Sequence, residues 1–392
     1  MKEYERRRGL LRGPRLLWDV LARGRYDFVF DRMPVSASGM TLSKRANLAL
    51  AGVNLLYRRL QPWNMPLHMQ FELTSFCNLR CPVCPAGARE LERDGVSMDP
   101  ALFERVFDEV GPYLLTASLW AWGEPLLHPG LRRILRAARR HPVVTLVSTN
   151  GLPLRDEGVI EALIEEPPSC LIVAIDGLTD ETNAKFRVGA ALEPILRGVR
   201  RLAELKRKRG ARLPLLHMRF MVMRHNEHEV PRLESFAREH GFELLTLRTL
   251  SIFDTGAPES VHTGFVPRDA RWRPYEYRGG VRRRRDDFIC QQPFWFPSLY
   301  AGGELVACEQ DHGARHAFGG ISGDTSFRDI WFGKGAAEVR RLIRDHGREA
   351  GFCRNCPFAD RPATECSVAA RQIVPDDVYP GLIAASPPGG AS

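Results

Sequence analysis

No stretch of this 392-residue chain approaches the ~18 uninterrupted apolar residues of a membrane-spanning helix. Its opening, MKEYERRRGLLRGPRLLWDV, lacks the apolar core and small-residue cleavage site of a secretory leader, so a cytoplasmic protein is the expectation. In that reducing compartment nine cysteines do not read as a disulfide framework, and their spacing favours metal binding or catalysis. Acidic residues are scarce over residues 1–70, with 5 against 13 Lys and Arg, so this segment alone carries +8 of a formal net charge of +9. The remainder is close to neutral, which argues against a basic body wrapped around nucleic acid.

What the basic segment does contain is apolar residues interleaved with its charge, in LLWDVLARGRYDFVF and ANLALAGVNLLYRRLQPW. In the second stretch Leu48, Val53, Leu56 and Leu60 fall near helical spacing, with Arg58, Arg59 and Trp63 at its end. Residues 1–67 therefore read as a basic helical N-terminal extension. Such helices either lie on the inner face of an anionic membrane as a peripheral contact or pack against the main domain and turn their charge to solvent. Asn47 and Asn54 speak against a span.

From residue 68 to 251 the pattern is regular. The strand-like runs LHMQFELT, LLTASLWAWG, VVTLVSTNG, CLIVAIDG, LLHMRFMVM and ELLTLRTL alternate with helix-like runs such as DPALFERVFDEVGPYL and LEPILRGVRRLAELKRKRG. Six strand-plus-helix units predict an α/β fold with a parallel, barrel-like sheet, whose function gathers at the carboxyl ends of the strands. The segment FELTSFCNLRCPVCPAG lies at the first of those ends and places Cys77, Cys81 and Cys84 within eight positions. Three thiolates suit an iron–sulfur cube better than zinc: a structural zinc wants four closed ligands, whereas three thiolates leave one iron of a 4Fe–4S cluster open. Pro82 and Pro85 stiffen the loop. Cys170 heads an apolar strand and reads as core, as do Met221 and Met223 as cavity wall.

CX3CX2C after the first strand resembles the signature of the radical S-adenosylmethionine (radical SAM) enzymes, and further motifs follow in the same order over residues 68 to 250. The resemblance implies a partial (β/α)6 TIM-like barrel. It implies that Gly123, Glu124 and Pro125 of WGEPLLHP, where Trp122 replaces a glycine, form the edge that receives the amino group of SAM. Ser148 and Asn150 of STNG would contact the ribose, Asp176 of AIDG would face the cavity, and Arg187 would approach the SAM carboxylate. The chemistry it implies is one-electron reduction of SAM, releasing methionine and a 5′-deoxyadenosyl radical that abstracts hydrogen from substrate. An external one-electron donor of flavodoxin or ferredoxin type belongs to that chemistry.

Residues 252–289 are rich in Pro, Gly and Arg and read as a connecting or substrate-covering segment. The run Arg282 to Arg285 is a solvated face or, more sharply, a site for an acidic substrate or lipid phosphate. Residues 290–370 hold Cys290 and Cys308 on either side of a hairpin turning at Gly302 and Gly303, then Cys353, Cys356 and Cys366. This spacing resembles the small C-terminal SPASM/Twitch-like extension of radical SAM enzymes, and implies that Cys290, Cys308, Cys353 and Cys356 hold a second, auxiliary 4Fe–4S cluster. Cys366 is then spare or an alternative ligand, because nine residues separate it from Cys356, a departure from the full SPASM pattern. A zinc ribbon is the alternative for the same four cysteines. Residues 371–392 read as a flexible tail.

An auxiliary cluster that accepts the electron of a substrate radical makes the expected reaction a net oxidation. Residues 1–70 show no winged-helix module for a peptide leader, which places a small molecule, carbohydrate, cyclitol or lipid first among substrates. A peptide-modifying maturase is the alternative, and a non-catalytic metal-cluster scaffold the second.

Overall fold

The computed structural model describes residues 18–250 apart from 31, 38, 58 and 94. It then describes 264–273, 277–278, 281–282, 290–353 apart from 348, and finally 356, 367–375 and 382. Six parallel strands form its centre: β3 (His68–Phe71), β4 (Thr116–Ser118), β5 (Val144–Thr149), β6 (Cys170–Ala174), β7 (Leu215–Val222) and β8 (Leu244–Thr249). They pair in sequence order, with helices between them, as the six predicted units require: this is the partial (β/α)6 barrel. The helices have local causes. In the helix Pro100–Val110, Asp99 caps the first turn by accepting from Ala101 N at 2.9 Å, and Phe103, Val106, Phe107 and Val110 turn inward. Phe71 of β3 meets Phe103 edge-on at 5.1 Å between ring centroids.

The C-terminal segment extends this sheet rather than standing beside it. A short ribbon of β9 (Tyr277–Arg278) and β10 (Val281–Arg282) precedes it. Strand β11 (Ser298–Leu299) joins the β3 edge in parallel, and β12 (Glu304–Val306) and β13 (Ala317–Gly320) follow antiparallel. The β11–β12 hairpin turns at Gly302 and Gly303, the latter with φ +97°, as expected. Strand β14 (Ser367–Gln372) closes the opposite edge against β8. The segment read as a tail begins in register: Arg371 and Gln372 pair with Leu245 and Leu244, and Leu382 is buried and bridges Val35.

The N-terminal extension differs from its expectation. It is helical over α1 (Leu42–Tyr57), but YDFVF and MPVSA form an antiparallel hairpin, β1 (Tyr26–Phe30) with β2 (Met33–Ala37). Aromatic and β-branched residues with alternating exposure favour strand there over helix. The hairpin plugs the barrel's amino end: Met33 and Val35 pack with Val144, Leu146, Cys170, Ile172, Leu215 and Leu244, which lie toward the starts of β5 to β8. Cys170 is fully buried there, as read from sequence. No helix among the described residues is long and apolar enough to cross a membrane.

Candidate functional site

With the amino end plugged, the carboxyl ends of β3 to β8 carry the open chemistry. The loop after β3 is folded on its own backbone: Cys84 N donates to Cys81 O at 3.3 Å and Ala88 N to Cys84 O at 2.8 Å. Gly87 lies so close to this turn that a Cβ there would stand 2.4 Å from Cys81 O. Cys81 and Cys84 each raise the pKa of Cys77 through their charge, so the three thiols are electrostatic neighbours. Burial, first of all, pushes the Cys77 thiol up to about 12 and Cys81 to about 11. Backbone N–H groups of Leu79 and of Gly87 and Ala86 donate to Cys77 and Cys84 and oppose that rise.

This donor set fits a 4Fe–4S cluster. Buried thiols held near neutrality would lose their protons to the positive irons, and N–H donors aimed at sulfur suit such a group. Among the described residues no three His, Cys, Asp or Glu side chains close tightly enough to ring a single metal ion. A cube takes each thiolate on a different iron and requires no such convergence.

Around the loop stand the residues expected to bind SAM. Gly123 is pressed against the end of β3: a Cβ there would meet Thr74 O at 1.9 Å and Phe76 O at 2.8 Å. Pro125 is buried at the start of a single helical turn, Pro125–Leu127, capped by the Glu124 carboxylate. That carboxylate is deeply buried and already engaged, accepting from Leu126 N at 3.1 Å, Thr149 Oγ1 at 2.7 Å and Asn150 N at 2.7 Å. Burial pushes its pKa up to about 7, against these three donors. Glu124 therefore braces the end of β4 to the end of β5, a job the motif alone did not disclose. Asn150 in turn donates through Nδ2 to Asn78 Oδ1 at 2.7 Å, with Cys77 Sγ at 3.9 Å. Ser148 is half-buried on the strand face opposite Thr149.

On the other side, Arg187 donates through Nε to Asp176 Oδ2 at 2.6 Å. Burial works against the guanidinium's charge, but Asp176 and Cys81 outweigh it and hold its pKa above the ordinary value. Asp176 is fixed from behind by Met221 N, Asn183 and Asn226. Cys77, Cys81, Cys84, Glu124, Asn150, Asp176 and Arg187 thus form one linked group. Asn78, Asn183 and Asn226 were missed by sequence reasoning, since isolated asparagines carry no spacing signal. Met223 is fully buried and Met221 half-buried in the apolar cluster around Cys81.

The second cysteine set is partly assembled. Burial, chiefly, raises the Cys308 thiol well above its ordinary pKa, and Cys356, Glu309 and Cys290 add to it, so three of the four thiols are electrostatic neighbours. Cys353 lies one turn before Cys356, whose N donates to Cys353 O at 3.3 Å. Cys366 and Arg283 to Arg285 lie outside the described residues. A cavity of about 410 Å³ opens between this region and the segment after the first cysteine loop, lined by Glu90, Glu92, Gln310, His312, Arg315 and His316 among others.

The profile of the Radical SAM superfamily matches residues 71–237. PqqA peptide cyclase of Gluconobacter oxydans is 29% identical over 178 residues, 45% of this chain and 47% of that protein. The chain spans about half the length of the first curated relatives it matches. Mycofactocin maturase MftC of Mycobacterium ulcerans is 23% identical over 324 residues, 78% of this chain and 84% of that one. Among solved structures, Streptococcus suis SuiB bound to its precursor peptide SuiA shares the fold, with TM-score 0.54 at 13% identity over 80% of this chain and 76% of that chain.

Proposed function

Because residues 71–237 form a radical SAM domain, we propose that this chain binds SAM beside a 4Fe–4S cluster on Cys77, Cys81 and Cys84 and modifies a peptide by hydrogen abstraction. The observation that carries the peptide reading is the similarity of the barrel to PqqA peptide cyclase, and the likeness to mycofactocin maturase, which covers 78% of the chain, passes well beyond the barrel. The expectation that set small molecules, carbohydrates and lipids ahead of peptides rested on the missing winged-helix module. The relatives weigh the other way.

A 4Fe–4S cluster held by Cys77, Cys81 and Cys84 would supply the one-electron reduction that breaks a carbon–sulfur bond of SAM into methionine and a hydrogen-abstracting 5′-deoxyadenosyl radical. Arg187, charged and clamped by Asp176, would offer N–H groups not engaged by that pair to the carboxylate of SAM. Glu124 holds the β4 and β5 ends at fixed separation, so Asn150 keeps its place beside Cys77. The apolar wall of Leu79, Val83, Phe186 and Met223 excludes water from the reacting centre. Cys290, Cys308, Cys353 and Cys356 would hold an auxiliary 4Fe–4S cluster that takes the substrate radical's electron. A flavodoxin or ferredoxin would supply the first electron; the peptide would lose one hydrogen atom to the 5′-deoxyadenosyl radical, one electron to the auxiliary cluster and one proton to solvent, a two-electron oxidation.

The test is made on anaerobically reconstituted protein, which should hold about eight irons. With a strong reductant it should release 5′-deoxyadenosine from SAM, and Cys81→Ala should abolish that release. Replacing Cys353 and Cys356 with Ala should leave SAM cleavage while stopping formation of a peptide product two hydrogens lighter. Unchanged cleavage by Cys81→Ala overturns the site. Zinc in the second set, or oxidised peptide made by the double variant at the parent rate, overturns the oxidative role.

A further inference from the structure

Helix α1 is packed inside out. Its buried residues are Lys44, Asn47, Ala51 and Asn54, polar but for one. They are held by backbone groups: Lys44 Nζ donates to Pro142 O, Asn47 Nδ2 donates to Met65 O at 3.1 Å, and Asn47 Oδ1 accepts from Met65 N at 2.8 Å. Arg45, the helix's other charged residue, is half-buried and donates to Met40 O and Leu21 O. Turned outward instead are Leu42, Ala46, Val53 and Leu56, at helical spacing along one stripe, with Leu50, Leu55 and Tyr57 beside it. Leu42 is 79% exposed, Leu56 78% and Tyr57 70%. Lys and Asn within and Leu without reverses the ordinary distribution, and a contiguous apolar patch of this kind marks a docking surface.

We propose that the outward face of α1 docks this protein on an anionic lipid surface. The first argument is composition: residues 1–70 hold 13 Lys and Arg against 5 Asp and Glu, and among the described residues the outward face of α1 carries no charge of its own. Interfacial aromatics flank it, as Trp18 and Trp63 are both exposed, and the Arg59 guanidinium stands 4.4 Å over the Trp63 ring. The second argument is area. The 16-residue helix offers a face ~24 Å long and ~10 Å wide, on the order of 240 Å², whereas a stable pair of protein copies needs about 800 Å² from each. A lipid surface has no such minimum, because a few inserted side chains and basic neighbours suffice. The third is position. Asn47 and Lys44 fix α1 beside Met65, just before β3, and Pro142, just before β5, so α1 lies at the barrel's amino end. Docked there, the protein keeps the cysteine loop and cavity turned away from lipid and open to substrate.

The experiment is flotation of the full-length chain with vesicles of phosphatidylcholine alone or mixed with phosphatidylglycerol. We expect binding to the anionic vesicles only, weakened by salt, and reduced about tenfold or more in the Val53→Glu/Leu56→Glu variant. Both side chains are exposed, so the melting temperature should hold, and a Val53→Ser/Leu56→Ser variant with intermediate binding carries the test if the glutamates disturb folding. Parent-like flotation of both variants, equal binding to neutral vesicles, or absence of binding overturns the proposal. So does a dimer, seen by light scattering, that the same substitutions dissolve. None of these readouts involves SAM cleavage, so their failure is separable from failure of the proposed reaction.

Discussion

At the scale of single residues, positions 122 and 123 behave oppositely although both belong to one turn. Trp122 stands where the related motif has glycine, and the structure shows why bulk is accepted: its Nε1 donates to Glu309 O at 3.1 Å and its ring meets His312 edge-on. It reaches into the auxiliary segment, where a larger side chain finds partners. Gly123 has no such outlet, since its missing Cβ would stand 1.9 Å from a backbone oxygen that cannot rotate away. Gly123→Ala must therefore push the end of β4 off that of β3, next to the cysteine loop. We expect a loss of about 2–3 kcal/mol of stability, typical of forced overpacking, and a larger loss of SAM affinity than of fold. Thermal melting and SAM titration of the variant check this, and a parent-like titration would show that the turn yields without moving the site.

At the scale of elements, the six barrel strands and the helices between them were legible because both periods are long and buried, and all five residues of CLIVA are inside. The three cysteine positions and the Gly-Glu-Pro turn were legible for the same reason that motifs work: fixed spacing carries the chemistry. The β1–β2 hairpin was not, because RYDFVF sits in a basic, helix-like context and its strand state is settled by packing under the barrel. The brace from Glu124 to Thr149 was not, because it joins residues 25 apart in sequence. The hairpin's contact with β3 makes a prediction about acid. His68 donates to or accepts from Thr116 Oγ1 at 2.8 Å between the rings of Phe28 and Phe296, and burial pushes its pKa from 6.5 down to about 4. In the folded chain the ring stays neutral where the unfolded chain takes up a proton, so stability is full above about pH 7 and declines as pH falls from there toward 4. Discounted for the ring's partial exposure, the loss by pH 5 should be about 1–2 kcal/mol. His68→Gln should remove that increment from urea unfolding measured at pH 7.5 and 5, and an unchanged pH slope would place the titration elsewhere.

At the scale of the molecule, the two cysteine sets are held in one body by a buried ion pair rather than by a linker. Glu72, at the end of β3, is fully buried and pairs with Arg93, just beyond the first cysteine loop. The same guanidinium donates through Nε to His312 O at 2.9 Å and lies 3.6 Å over the ring of Tyr300, in the β11–β12 turn. Tyr300 in turn donates to Asp311 O and Glu309 O, the latter also taking the Trp122 indole. One arginine thus joins the barrel, the loop that carries the first three thiols and the segment that carries Cys308. Arg93→Met should leave Glu72 buried without its counter-charge and cost about 3–5 kcal/mol, as removal of one partner of a buried pair does. Because the penalty is the stranded carboxylate, the double variant Glu72→Gln with Arg93→Met should be less destabilised than Arg93→Met alone. Denaturant unfolding of the single and double variants measures both. If Arg93→Met unfolds within about 1 kcal/mol of the parent, the junction is held by the strand pairing of β11 with β3 and the ion pair is incidental to it.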